Sequence, residues 1–327
     1  MLFLKVPQKQ AESTRKELAG LGILSNEYEI FSDEGFVFIP VLEKYGDFEI
    51  AEIDAEKRPL KHTNLKDALS GLLTEEELEK LTTSFDIVGD IAIVEIPESL
   101  EPKENEIGKA LLKVHSNLKT VLKKLSAMEG EYRLRRVKCI AGEDKTETVY
   151  REHGVPMKLD VSKAYFSVRL STERKRISNL VKAGEKVLVL FAGVGPFALV
   201  IANDHPDAQI TANEINPEAV AYLRENIKLN KADIAVLEGD ARNFEYHGFD
   251  RVVMPLPHSA EGFLDLAYSA AKEGGTIHFY SIVGSDKPFE NAEKKIPFSD
   301  YTISGKRIVR PYSPDMVQVV LDLVKSA

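Results

Sequence analysis

Between Glu185 and Asp240 the chain sets strand-end signals in an order that few folds can satisfy together. The apolar run Lys186–Leu190 reads as a buried strand and passes straight into Phe191-Ala-Gly-Val-Gly-Pro-Phe-Ala198. Further on, Ile210–Asn213 reads as a second strand whose tip is Glu214. A third element ends in Gly239-Asp240, and a fourth, Asp250–Met254, runs into Pro255-Leu-Pro257. Strands buried on both faces read as continuous apolar runs rather than alternating ones. Glycines directly after such a strand let backbone approach a ligand, and a carboxylate at the next strand tip can accept from ribose hydroxyls. A lone glycine turn is weak evidence. The ordered set predicts a doubly wound α/β sheet with an adenosine-type cofactor across its carboxyl edge.

Dinucleotides and S-adenosylmethionine (AdoMet) both fit that layout. Phe-Ala-Gly-x-Gly, the acidic strand tip, Gly-Asp and a proline-rich turn after the fourth strand together resemble class I AdoMet-dependent methyltransferases. In that fold the turn lines the methyl-transfer site, whereas a dehydrogenase has no need of prolines there. The resemblance therefore implies AdoMet as cofactor.

Charge is unevenly placed. The formal net charge is −9, yet residues 1–104 hold 11 Lys/Arg against 23 Asp/Glu, leaving 32 against 29 in the rest. Nine basic and three acidic residues fall within 105–138. Phosphate recognition follows local potential, not the total. Lys109, Lys113, Lys119 and Lys123 fit one side of a helix predicted over 105–125, either a phosphate-binding face or a solvated one. Cys139 is the only cysteine, which excludes an intrachain disulfide or a cysteine zinc cluster, and the seven histidines show no metal-ligand spacing. No apolar run approaches the length of a membrane span, and Lys5 interrupts Met1-Leu-Phe-Leu. A cytoplasmic, metal-free protein, monomeric and with no membrane partner, is the expectation.

Three units are expected. Residues 1–62 form a small acidic α/β unit with a helix over Gln8–Leu21 and a strand over Gly35–Pro40. Residues 63–160 form a second one, with a Glu-rich helix around Leu73–Leu81, one or two strands around Gly89, the basic helix, and strands Arg135–Ile140 and Thr146–Tyr150. Residues 161–327 form the doubly wound domain, closed by strands Thr276–Ile282 and Val317–Val324.

Several motifs then occur in fixed order: Asp86-Ile-Val-Gly-Asp-Ile-Ala92, Ala141-Gly-Glu-Asp144, Tyr150-Arg-Glu-His-Gly154, Asp160-Val-Ser-Lys-Ala-Tyr-Phe-Ser167 and the glycine loop at Phe191. From about residue 80 to the C-terminus the chain resembles archaeal-type tRNA (guanine-37-N1) methyltransferases. That resemblance implies an N-terminal domain for the tRNA body, a middle domain for the anticodon stem and a C-terminal AdoMet domain, with tRNA as partner. It implies methyl transfer to N1 of the guanine next to the anticodon.

Such a reaction must remove the N1 proton and stabilise charge moving onto O6, which calls for a carboxylate and a cationic donor. The base must also leave its stack. By resemblance Glu173, in Ser171-Thr-Glu-Arg-Lys-Arg176, is the general base; without the family it reads as a solvated helix residue. Arg133, forty residues earlier, is the expected donor to O6. Arg135 is the fallback, two residues along the same expected strand face. Tyr165 is expected to pack on the flipped base, or else in the core. Arg174 is expected at the methionine carboxylate, Phe191, Gly193 and Gly195 along the cofactor, Glu214 and Ile215 at the ribose, and Asp240 and Ala241 at the adenine.

The chain also departs from the family. Pro255 stands where asparagine is usual, so only its carbonyl can accept a hydrogen bond. Val189 replaces a strand acid, and Val168 a proline. Two alternatives follow: a wyosine-pathway transferase, moving methyl to a tricyclic guanine or moving the aminocarboxypropyl arm, and a tRNA-binding module with little turnover. A small-molecule methyltransferase would leave the N-terminal units unexplained.

Overall fold

The computed structural model describes residues 1–25, 27–55 and 64–326. The chain divides into two compact units, Met1–Ala68 and Leu69–Ala327. The boundary expected at residues 62 and 63 lies outside the described residues.

In the first unit, β1 (Leu2–Pro7) is flanked by β3 (Phe36–Pro40) and β4 (Glu49–Glu52), with β2 (Phe31–Asp33) beyond β3, all antiparallel. The β2–β3 link is the pair Glu34-Gly35 with φ of 44° and 83°. Positive φ at both central residues is the turn whose twist matches a right-handed hairpin. Helix α1 (Ala11–Gly20) drops Leu18 onto Leu4, Val6 and Ile39.

The chain continues through α2 (Leu65–Leu69) and α3 (Glu75–Lys80), whose start is fixed by a reciprocal Thr74–Glu77 capping box. Strands β5 (Asp86–Val88), β6 (Ile91–Val94), β7 (Thr120–Lys124) and β8 (Val137–Gly142) follow in that spatial order. Gly89, between β5 and β6, has φ +59°, and a Cβ there would stand 2.2 Å from Thr148 Oγ1, so backbones meet closely at this point. Strands β6 and β7 are parallel and need a crossover, supplied by α4 (Glu104–Val114).

The predicted basic helix therefore ends eleven residues early, at Val114. The weak helix formers His115, Ser116 and Asn117 follow, and Thr120–Lys123 pair with Ile91–Val94 instead. Pairing with a buried strand overrides the four-residue spacing of the lysines. Lys109 and Lys113 stay exposed on α4, but Lys123 is buried between Glu101 (2.6 Å) and Glu104 (3.0 Å). Much of the local positive charge is thereby matched within the fold.

After the hairpin β9 (Glu147–Glu152) and β10 (Val155–Asp160) comes the seven-stranded sheet. Its strands are β11 (Lys186–Val189), β12 (Gln209–Glu214), β13 (Ile234–Glu238), β14 (Phe249–Met254), β15 (Ala271–Gly284), β16 (Tyr301–Ser313) and β17 (Met316–Lys325). They lie in the order β13-β12-β11-β14-β15-β17-β16; the first five are parallel, and β17 is antiparallel to both neighbours. Helices α5 (Ser171–Leu180), α6 (Pro196–Asp204), α7 (Pro217–Asn230), α8 (Leu264–Ala270) and α9 (Pro288–Glu293) cover it. Val187 and Val189 pack with Ile177, Ile201 and Leu223 on one face, while Leu188 and Leu190 pack with Val252, Leu264 and Phe279 on the other. One strand feeding two cores is the doubly wound arrangement read from the sequence.

Strand β16 was not expected. Its register shifts between Ile303 and Gly305, Ile308 and Arg310, and Pro311 and Ser313. Each bulge resets the two-residue alternation by which a strand is recognised.

Candidate active site

The carboxyl ends of β11, β12, β13 and β14 open into a cleft of about 1160 Å³, whose other wall comes from the β5–β8 sheet and the segment following β7. The chain leaves β11 through Phe191 at φ +54° and Gly193 at φ +57°, and starts α6 at Gly195, φ +95°. The two glycines do different work. Gly193 lines the cleft and donates its N–H to Glu214 Oε2 at 2.7 Å. Gly195 is absent from the cleft wall; a Cβ there would meet Leu223 Cδ1 at 2.5 Å, so it serves close packing of α6.

Glu214 is buried at the tip of β12 and lines the cleft. Its other oxygen accepts from Ile215 N (3.0 Å) and Asn216 N (2.8 Å). Burial pushes its proton affinity up while these three backbone donors push it down. The carboxylate is thus locked in place, with one of its roughly four lone-pair sites left to accept from a hydroxyl. Asp240 caps the turn after β13, accepting from Arg242 N and Arg242 Nε, both at 2.9 Å. Arg242 lies over the Phe263 ring, which meets Phe191 edge-on at 4.8 Å. With Ile215 and buried Ala241 these rings make an apolar slot whose polar end is Asp240. A flat heteroaromatic fits such a slot, and the residues suit the adenosine of AdoMet.

At the other end, Arg174 is 1% exposed. Its Nε and Nη2 pair with both oxygens of buried Glu152, and Nη1 donates to Ser167 O at 3.1 Å. Three of its five donors are thereby used within the fold. Glu152 sits in the Tyr150-Arg-Glu-His-Gly motif, and no role for it was read there.

Arg133 and Arg135 do not lie on a strand as expected. They follow a tight turn in which Glu129 and Leu134 exchange backbone bonds, Arg133 has φ +54°, and β8 begins only at Val137. A turn at Gly130 interrupts the alternation assumed for Arg133–Arg135. Both still reach the cleft, and in both the Nε atom is buried with no hydrogen-bond partner among the described residues. The Arg133 guanidinium lies over the Tyr165 ring at 5.3 Å. Buried donors are nearly always paired, so two open ones in one wall mark a place for an acceptor. In the same cleft, the turn after β14 is held by Leu256 N to Met254 O (2.8 Å) and by Ile282 N to Pro257 O (3.2 Å), with Pro255 on the wall.

Ten of the twelve residues expected at the site line this one cleft; Gly195 and Glu173 do not. Glu173 is 3% exposed, accepting from Tyr280 Oη (2.6 Å) and Arg176 Nη2 (2.8 Å). Phe263, Arg242, His258, Arg310 and Tyr312 line the cleft without having been singled out. Among the described residues no helix is long and apolar enough to cross a membrane, and no group of three or more His, Cys, Asp or Glu is placed to hold a metal ion.

Residues 148–303 match the TRM5/TYW2 methyltransferase domain, residues 65–146 the TYW2 N-terminal domain, and residues 4–49 the tRNA methyltransferase 5 N-terminal domain. The chain is 41% identical to tRNA (guanine(37)-N(1))-methyltransferase Trm5b of Pyrococcus abyssi, over 98% of each chain. It is 32% identical to the tRNA(Phe) (4-demethylwyosine(37)-C(7)) aminocarboxypropyltransferase of Methanocaldococcus jannaschii, over 72% of this chain and 95% of that one. The solved complex of aTrm5 and tRNALeu matches over the full length of both chains, with a TM-score of 0.85 and 34% identity. By its cleft, its sheet order and these likenesses, the chain belongs to the archaeal-type Trm5 family of tRNA (guanine-37-N1) methyltransferases.

Proposed function

We propose that this protein transfers the methyl group of AdoMet to N1 of guanine 37 in tRNA. The observation that carries this reading is the pair of buried Nε atoms of Arg133 and Arg135, without hydrogen-bond partners among the described residues, in the cleft that Tyr165, Pro255 and the strand-end residues Glu214 and Asp240 also line. When bound, the sulfonium supplies an already activated methyl group, so the protein's task is orientation and charge. Glu214 would accept from a ribose hydroxyl, Asp240 and Ala241 would meet the adenine, and Arg174 would offer its two remaining donors to the methionine carboxylate. Tyr165 would take the face of the extruded guanine, Arg133 would donate to O6, and the Pro255 carbonyl would accept from the exocyclic amino group.

Glu173 is the proposed acceptor of the N1 proton. Glu173 is buried and does not line the cleft, so this role requires that tRNA binding bring it into contact with the guanine. Residues 1–62 would meet the tRNA body and residues 63–160 the anticodon stem, with 161–327 holding the cofactor. The protein would act as a monomer in the cytoplasm.

A single-turnover reaction with AdoMet and unmodified tRNA, carrying guanine or adenine at position 37, tests the reading. N1-methylguanosine should form from the guanine transcript alone. The replacement of asparagine by Pro255 favours one competitor, transfer of the aminocarboxypropyl arm, and a product of that mass would establish it instead. Cofactor binding has its own test. Glu214→Ala should raise the AdoMet dissociation constant at least about tenfold in calorimetry, as expected for a hydrogen bond to a charged group. An unchanged constant would mean that the ribose is held elsewhere.

A further inference from the structure

Strand β16 forms an edge of the seven-stranded sheet, and its thirteen residues include Lys306, Arg307 and Arg310 with no Asp or Glu. Edge strands often carry charge to discourage pairing with other chains, which accounts for Lys306 and Arg307 on the exposed part. It does not account for the far end. There Arg310 and Tyr312 line the same cleft as Arg133 and Tyr165.

Arg310 is anchored in an unusual way. Its Nε donates to Gln318 Oε1 at 2.9 Å, and Gln318 is 1% exposed. A neutral amide thus fixes the guanidinium plane without cancelling its charge, and its terminal nitrogens have no hydrogen-bond partner among the described residues. Tyr312 is 46% exposed and touches the His258 ring edge-on, 5.2 Å between centroids. His258 comes directly after the Pro255-Leu-Pro257 turn. Its desolvation and the nearby Arg133, Arg310 and Lys295 hold its proton affinity below the ordinary value, so the ring stays an uncharged aromatic at neutral pH. An open aromatic ring beside an uncompensated guanidinium is the pairing that single-stranded RNA recognition uses, one for a base face and one for a phosphate.

We infer that Tyr312 with His258 receives the base next to the target guanine, and that Arg310 holds the adjoining phosphate. The inference rests on the proposed tRNA reaction. A loop nucleotide extruded into the cleft leaves its neighbours unstacked at the mouth, where these side chains stand. Occupation of this second place would fix the loop and so help to commit the guanine to the cleft.

The test compares wild-type protein, Tyr312→Ala, Tyr312→Phe and Arg310→Gln on intact tRNA and on tRNA made abasic on either side of guanine 37. Tyr312→Ala should raise KM for intact tRNA about tenfold or more, with AdoMet affinity and melting temperature unchanged. Tyr312→Phe should restore KM, since the ring is retained. On the transcript lacking the stacked base, wild type should lose the same factor and Tyr312→Ala nothing further. Arg310→Gln should make the salt dependence of tRNA binding shallower by roughly one unit of slope, the share of a single phosphate. Equal KM for wild type and Tyr312→Ala on intact tRNA would overturn the inference, as would losses that multiply on both abasic transcripts. Wild-type protein that methylates no tRNA would instead overturn the reaction itself.

Discussion

Arg133→Lys should lower the single-turnover methylation rate about a hundred- to a thousandfold at saturating AdoMet and tRNA, the range found when one donor to a developing oxyanion is lost. The charge survives this substitution, so the effect isolates geometry. Arg133 is set at φ +54° in the turn through Gly130, and its guanidinium lies over Tyr165, 5.3 Å from the ring centroid. A planar fork can stack on a ring and donate sideways at the same time; an ammonium can do neither in that way. The AdoMet dissociation constant should stay within about twofold, because the cofactor residues belong to other strand ends. A rate within a few-fold of wild type would pass the role to Arg135, whose Nε is likewise buried and without a partner among the described residues.

Local signals were legible in the sequence; pairings distant in sequence were not. The strand Lys186–Val189, the glycine loop and the acid at Glu214 each declare themselves over a few residues, by continuous apolar character or by a backbone requirement. The second glycine was read as a residue that lets the cofactor approach, yet it does not line the cleft, and a Cβ there would meet Leu223, twenty-eight residues on. The lysines at 109, 113, 119 and 123 show the opposite failure. Their spacing is helical, but β6 offers Thr120–Lys123 a parallel partner and splits the set between a helix and a strand. Glu152 could not be picked out as the partner of Arg174, because nothing local marks an ion pair twenty-two residues apart. Strand β16 was hidden by its own bulges, and with it the Arg310 and Tyr312 end of the cleft.

Glu173→Gln should reduce turnover about a hundred- to ten-thousandfold at neutral pH, the usual contribution of a positioned general base, with AdoMet affinity nearly unchanged. The surroundings of Glu173 decide how this is to be read. Arg176, which donates to Glu173, also donates to Asp322 at 2.7 Å. Asp322 accepts from His278 Nδ1 at 2.6 Å, and His278 Nε2 faces Arg251 Nη1 at 2.7 Å, which leads on to Glu185. Burial holds His278 below its ordinary proton affinity, while His278 and Arg176 keep the Asp322 carboxyl ionised against its own burial. With His278 neutral, the three carboxylates Glu173, Asp322 and Glu185 are matched by three guanidiniums, since Arg307 Nη1 also stands 4.0 Å from Glu173 Oε2 beside Arg176 and Arg251. Glutamine keeps the shape: its carbonyl can accept from Arg176 and its amide can donate to Tyr280 Oη, so a folded variant is expected. It cannot take the proton. The rate gap between variant and wild type should therefore narrow as pH rises toward the range where guanine N1 ionises unaided, whereas a purely structural defect would leave the gap constant. An unchanged rate at neutral pH would eliminate Glu173 as the base and leave it as the counter-ion that orients Arg176.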